Sequence, residues 1–252
     1  MPGNFHEIPP EVLANWPKPD YIDPVRREWL PALACTLLGL STILVAGRFY
    51  LRLRREAGDF GLDDLFIGLG WLFSVGLSTD AIIDADWYGV DVHTWDVRMN
   101  QYVGAALIGW ISQVLFLSST SATKTSVLLF YRRMAKDTYS RRWLYAIWAA
   151  LGCTVAFYVA QVITMCLICR PLSSYWESYD IFNYHKKFTC IDGNVLTAVS
   201  GVLNVISDVY AVLVPCLMLR HYDLDVPRRQ KIVLNVIFGL GFVVAGCGIA
   251  RT

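Results

Sequence analysis

Apolar residues in this chain gather into long unbroken stretches instead of alternating with polar ones. Six stretches, at roughly 29–47, 64–83, 103–130, 143–168, 194–219 and 232–250, approach or exceed the about 20 residues a helix needs to cross a hydrocarbon core. None shows the period of two expected of a barrel strand. Lipid offers a backbone no hydrogen-bond partners, and a helix satisfies its own. The expected fold is therefore all-α, a polytopic transmembrane helical bundle with six spans over residues 29–252. Residues 1–28 hold six of the ten prolines. They lack the basic start and apolar core of a cleavable signal, so an extended extracellular segment is expected there.

Composition agrees with a membrane class: 55% of residues are hydrophobic and only 17% are charged. A net charge of +1 provides no footprint for nucleic acid. The position of the basic residues says more than their sum. Thirteen Lys and Arg lie in three short connections, 48–63, 131–142 and 220–231, against eight in the much longer segments on the other side. Positive loops stay cytoplasmic, so the N-terminus is expected outside, in the plasma membrane. Trp29, Trp87, Trp95, Tyr102, Trp143 and Tyr145 fall near span ends, where amphipathic rings sit at headgroup level.

Several local patterns occur in order along the chain. Arg48-Phe-Tyr-Leu-Arg52 leads to Gly61-Leu-Asp63-Asp64. Lys124-Thr-Ser126-Val-Leu-Leu-Phe-Tyr131-Arg-Arg133 closes the third span. Cys169-Arg170-Pro171 runs through Trp176 to Cys190, and Asn204, Asp208 and Pro215 follow in the fifth span. Together they resemble the fungal rhodopsin-domain superfamily, receptor-like and toxin-cluster integral membrane proteins of filamentous fungi. The resemblance implies seven spans; six are read here, and the last is expected to be missing from this chain. In light-sensing proteins the lysine that holds retinal sits on the last span, and photoreception is accordingly not expected.

The ionisable and amide side chains inside apolar stretches are the functional candidates, because burying them in lipid is costly. Lys124 is expected to snorkel or to pair with an acid such as Asp64, forming with Asp63 and Asp64 a network at the inner face. Asn204 and Asp208, four residues apart, share a helical face and form the floor of a candidate ligand pocket with Gln113, Gln161 and Asp80 as further polar groups. Asp80, Asp84 and Asp86 crowd the outer end of the second span. Cys169 and Cys190 flank a loop on the oxidising side and are disulfide candidates, with Cys166 as a rival partner. The histidines are scattered and no paired C-x-x-C spacing occurs, so neither a metal nor a cofactor is expected.

The resemblance implies a receptor-like protein that senses a small or lipophilic ligand and signals through a cytosolic protein at its basic loops. The partners expected are thus the bilayer, that ligand and that protein. The alternative is an intramembrane enzyme, a cyclase or isomerase of a secondary-metabolite pathway with Asp208 or Asp80 as proton donor, or an accessory protein of such a pathway. No nucleophile, metal site or phosphate loop accompanies the acids, and no inverted repeat suggests a transporter.

Overall fold

The computed structural model describes residues 29–55, 58–135, 141–180, 187–191 and 193–221, with isolated positions before residue 29. The expected sixth span at 232–250 lies outside the described residues, as does most of the segment 1–28. The long helices are α1 (Trp29–Leu53), α2 (Leu62–Tyr88), α3 (Tyr102–Ala135), α4 (Arg141–Leu167) and α6 (Gly193–His221). Short elements β1 (Cys169–Arg170), α5 (Ser174–Glu177) and β2 (Thr189–Cys190) lie between α4 and α6. Among the described residues, α1 to α4 are long and apolar enough to cross a membrane, and the described apolar part of α6 runs Ala198–Ala211.

The helices overrun the apolar stretches. Residues 103–130 suffice for a span, yet α3 has 34 residues, about 50 Å at 1.5 Å each against a core of about 30 Å. Its last turn carries Arg132 and Arg133, beyond the apolar region and next to the helix's negative end. The start of α2 is set by charge. Asp63 and Asp64 occupy its first turn, favourable at the positive end of the dipole, and the Asp64 carboxylate accepts the Gly61 N–H at 3.1 Å. Gly89 ends the helix in the left-handed region at φ 67°, a conformation that a Cβ disfavours.

Helix α3 is the hub, packing on α2 along most of its length and also touching α4, α5 and α6. Its close approach to α2 depends on Gly70, where an added Cβ would stand 2.9 Å from Thr123 Oγ1 and 3.4 Å from the Ser119 carbonyl oxygen. The Ser119 hydroxyl donates to the Gly70 carbonyl at 2.9 Å. Trp71 Nε1 similarly donates to Thr42 Oγ1 at 3.0 Å and ties α2 to α1.

Burial is inverted relative to a protein in water. Leu37, Leu40, Ile43 and Leu44 of α1 are exposed, whereas Arg52, Asp63, Asp64, Ser126 and Thr154 are buried. A lipid solvent accounts for this: apolar residues face tails at no cost, while polar groups must find partners inside the bundle. The apolar core proper is a cluster of Leu128, Tyr131, Ile147 and Ala150 between α3 and α4.

At one end of the bundle, β1 and β2 pair antiparallel with Cys169 opposite Cys190, and a disulfide joins these two residues. The Trp176 ring of α5 lies 6.1 Å from that of Trp110 on α3, and Trp110 Nε1 donates to the Met165 carbonyl at 3.3 Å. The loop is thus held across the ends of α3 and α4.

Candidate functional site

Among the described residues, two ion-paired clusters lie inside the bundle. The first stands at the arginine-rich end, between α1 and α2. Arg48 and Arg52 are four residues apart on α1, so both guanidinium groups leave the same helical face. Arg48 donates from Nε to Asp64 Oδ1 at 2.9 Å and from Nη2 to Asp63 Oδ2 at 2.5 Å. Arg52 donates from Nη2 to Asp63 Oδ2 at 2.9 Å and from Nη1 to the Asp59 carbonyl at 3.0 Å, with its Nε 3.3 Å from Asp64 Oδ2. Arg133 of α3 donates to the same Asp59 carbonyl at 2.6 Å and lies 3.9 Å from Asp63.

Arg52, Asp63 and Asp64 are almost wholly buried, at 4%, 3% and 1% exposure. Desolvating a charge costs several kcal/mol, and the attraction offsets it only where geometry and hydrogen bonding are complete. Asp64 meets two arginines and Asp63 three, the third at 3.9 Å, which is what allows two adjacent negative charges to be buried side by side.

The second cluster joins α3 to α6. Lys124 Nζ lies 2.9 Å from Asp208 Oδ1 and donates to Ser207 Oγ at 2.9 Å. From Ser207 the network continues to the Tyr210 hydroxyl at 3.4 Å, and that hydroxyl shares a 2.8 Å hydrogen bond with Thr154 Oγ1 of α4. Ser200, Asn204, Ser207 and Ala211 follow the helical repeat along the inner side of α6, while Val202, Leu203, Ile206 and Val209 point outward. Thr120, Ser121, Lys124, Tyr158, Asn204 and Ser207 line a cavity of about 10 Å³. That is room for about one water and far below the 300 Å³ or more typical of a small-molecule site.

Lys124 was expected to snorkel or to pair with an acid such as Asp64. Its partner is Asp208, and Asp64 is taken by Arg48 and Arg52. The expected inner-face network is accordingly two separate clusters, because Lys124 points from α3 toward α6 whereas Asp63 and Asp64 lie at the start of α2. Of the other candidates, Asp80 is buried on α2 and accepts a hydrogen bond from Ser112 of α3. Gln161 is buried on α4, where its Oε1 accepts from Ser200 Oγ at 3.1 Å and its Nε2 has no partner among the described residues. Gln113 is half-buried on α3 and lines neither the cavity nor the arginine cluster.

Sequence reasoning did not single out Arg48, Arg52, Ser126 or Tyr210 as site residues. For the arginines a signal was available: a four-residue spacing on one helix, followed after a short turn by adjacent acids. The segment 124–133 connects both clusters. Lys124, Leu128 and Tyr131 face α4 and α6, while Ser126, Phe130 and Arg133 face α1 and α2. Ser126 Oγ donates to the Asp63 carbonyl at 2.6 Å, and the Arg48 guanidinium stands 5.5 Å from the Phe130 ring centre.

Residues 47–252 match the family model of the fungal rhodopsin domain, a stretch that contains both clusters and the disulfide. The chain belongs to the fungal rhodopsin domain family. It is similar to a SAT4 family membrane protein of Emericella nidulans, with 25% identity over 71% of this chain and 43% of that protein. It is also similar to Receptor GIN3 of Arthrobotrys oligospora, with 22% identity over 84% of this chain and 48% of the receptor. The chain thus spans about half the length of these two relatives. No solved structure matches it. Family and helices together make this fungal rhodopsin domain a multi-pass membrane protein.

Proposed function

We propose that the chain is the membrane domain of a receptor-like protein whose responsive element is the polar seam between α3, α4 and α6. The observation that carries this reading is the half-buried ion pair Lys124–Asp208, 2.9 Å long, which joins two helices beside a small cavity that Lys124 itself lines. Ionisable groups at membrane depth are costly and mark functional positions, and similarity to a protein named as a receptor points the same way. The cavity as it stands is closed to anything larger than water. A small or lipophilic ligand would act by favouring a state in which α3 and α6 separate, since a ligand shifts an equilibrium only through its differential affinity for two states. The basic loops at the arginine-rich end, read as cytoplasmic, would present the change to a cytosolic protein.

The enzyme alternative needs a carboxyl group free to deliver a proton. Asp208 is engaged by Lys124 and Asp80 by Ser112, so acid work by either would first have to break that contact.

The test is a thermal-shift screen of the purified full chain in lipid nanodiscs against a panel of small lipophilic molecules. A nitroxide label at Arg141→Cys, on a background with the native cysteines outside the disulfide replaced, reports movement at the start of α4. Support is a compound that stabilises the protein, alters the label's mobility, and does neither in Asp208→Asn. A compound consumed and released as product would overturn the reading in favour of catalysis.

A further inference from the structure

A second opening lies on the surface of the bundle. Ile43, Leu44, Gly47 and Leu51 of α1 form one wall, Phe130 of α3 the other, and Arg48 and Arg52 the polar end, around a groove of about 430 Å³. The walls are apolar and sit on the last turns of a membrane-crossing helix. The arginines mark the level where the helix leaves the hydrocarbon, which is where lipid headgroups lie. The space beside Gly47 is open, for a Cβ added there meets nothing within 4 Å.

The two arginines differ in what they have left to give. Arg52 is buried and held by Asp63, Asp64 and the Asp59 carbonyl. Arg48 is 30% exposed on its side chain and uses one N–H on each carboxylate. A guanidinium carries five N–H donors, so three of those on Arg48 have no partner among the described residues. Within the cluster three guanidinium groups (Arg48, Arg52, Arg133) contact the carboxylates of Asp63 and Asp64, and Arg48 presents its remaining donors at the mouth of an apolar groove.

The geometry points to an anionic phospholipid as the occupant, with an acyl chain along Ile43, Leu44, Gly47 and Leu51 and its phosphate on the unpartnered edge of Arg48. Charge complementarity favours lipid over the chain's own apolar stretch at 232–250, because that stretch contains no Asp or Glu to meet the arginine. The two carboxylates hold Arg48 in place, so the anion meets a preorganised fork. A lipid bound there would brace α1 against α3, two helices that otherwise meet mainly through α2.

The experiment uses the full chain reconstituted in equimolar phosphatidylcholine and phosphatidylserine, then moved into a mild detergent, with the lipid that stays bound quantified by mass spectrometry. Wild-type protein is expected to retain phosphatidylserine over phosphatidylcholine by about fivefold, the value of roughly one basic residue at a membrane surface. Arg48→Gln removes the preference by taking away the charge. Gly47→Phe removes it by filling the groove while leaving every ion pair in place, so loss of fold in the first variant does not leave the question open. Equal retention of the two lipids by wild-type protein overturns the inference. So does a preference that survives in folded Gly47→Phe, which would place the lipid on the exposed basic loops. A Gly47→Cys variant that forms a disulfide with the native Cys247 would show the groove filled by the chain itself, and that result also overturns it.

Discussion

Lys124 and Asp208 lie 84 residues apart in sequence and 2.9 Å apart in space, and their contact fixes α3 to α6. Removing one partner leaves the other charge without compensation in a half-buried site. Asp208→Leu is expected to destabilise the folded protein by about 1–2 kcal/mol, between the values for exposed and for fully buried pairs broken on one side. Lys124→Met should cost a similar amount, and the double variant should recover most of the loss. Unfolding of the three variants in mixed detergent gives the coupling energy, and additive losses would show that the pair contributes nothing as a pair.

The arginine cluster makes a graded prediction. Arg52 is buried and bound to both carboxylates, whereas Arg133 is 41% exposed and reaches Asp63 at only 3.9 Å. Arg52→Gln should cost about 3 kcal/mol and Arg133→Gln less than about 1 kcal/mol. Thermal denaturation of both variants in nanodiscs checks the order, and equal losses would mean that exposure does not decide the contribution of these charges.

Gly70 supplies a steric test. A Val at this position must displace Thr123 and the backbone of α3, at a cost of about 1–3 kcal/mol. Gly39 has no heavy atom within 4 Å of the corresponding Cβ position, so Gly39→Val serves as the control and should leave the midpoint nearly unchanged. Matching shifts for the two variants would indicate that α2 and α3 are not in close contact at Gly70.

The Cys169–Cys190 disulfide closes a loop with a sequence separation of 21. Loop-closure entropy assigns it about 3 kcal/mol. Cys190→Ser should lower the thermal midpoint, and addition of reductant should lower the wild-type midpoint to the same value. A reductant effect that persists in Cys190→Ser would point to a different cysteine pair.

Much of the architecture is legible in sequence because the membrane imposes a simple rule on composition. Apolar stretches of sufficient length place α1 to α4, and the acids in the first turn of α2 account for its start. Partner choice is not legible in the same way. Lys124 had two acids to choose between, and nothing near Lys124, Asp64 or Asp208 in sequence says which helix stands next to which. The size of the cavity was equally hidden, since polar residues at the right spacing on α6 specify a lining and not a volume. In sequence Arg48 and Arg52 speak for topology and for the family pattern, and only the fold shows that they hold the carboxylates of Asp63 and Asp64.

The division of α3 into two stripes has a mechanical consequence. Lys124 and Arg133 are nine residues apart, about 14 Å along the axis, and the helix between them is continuous. A rigid turn of α3 that drew Lys124 away from Asp208 would also move Phe130 relative to Arg48 and Arg133 relative to the Asp59 carbonyl. The Lys124–Asp208 pair and the arginine-rich end thus share one rigid element, with no loop between them.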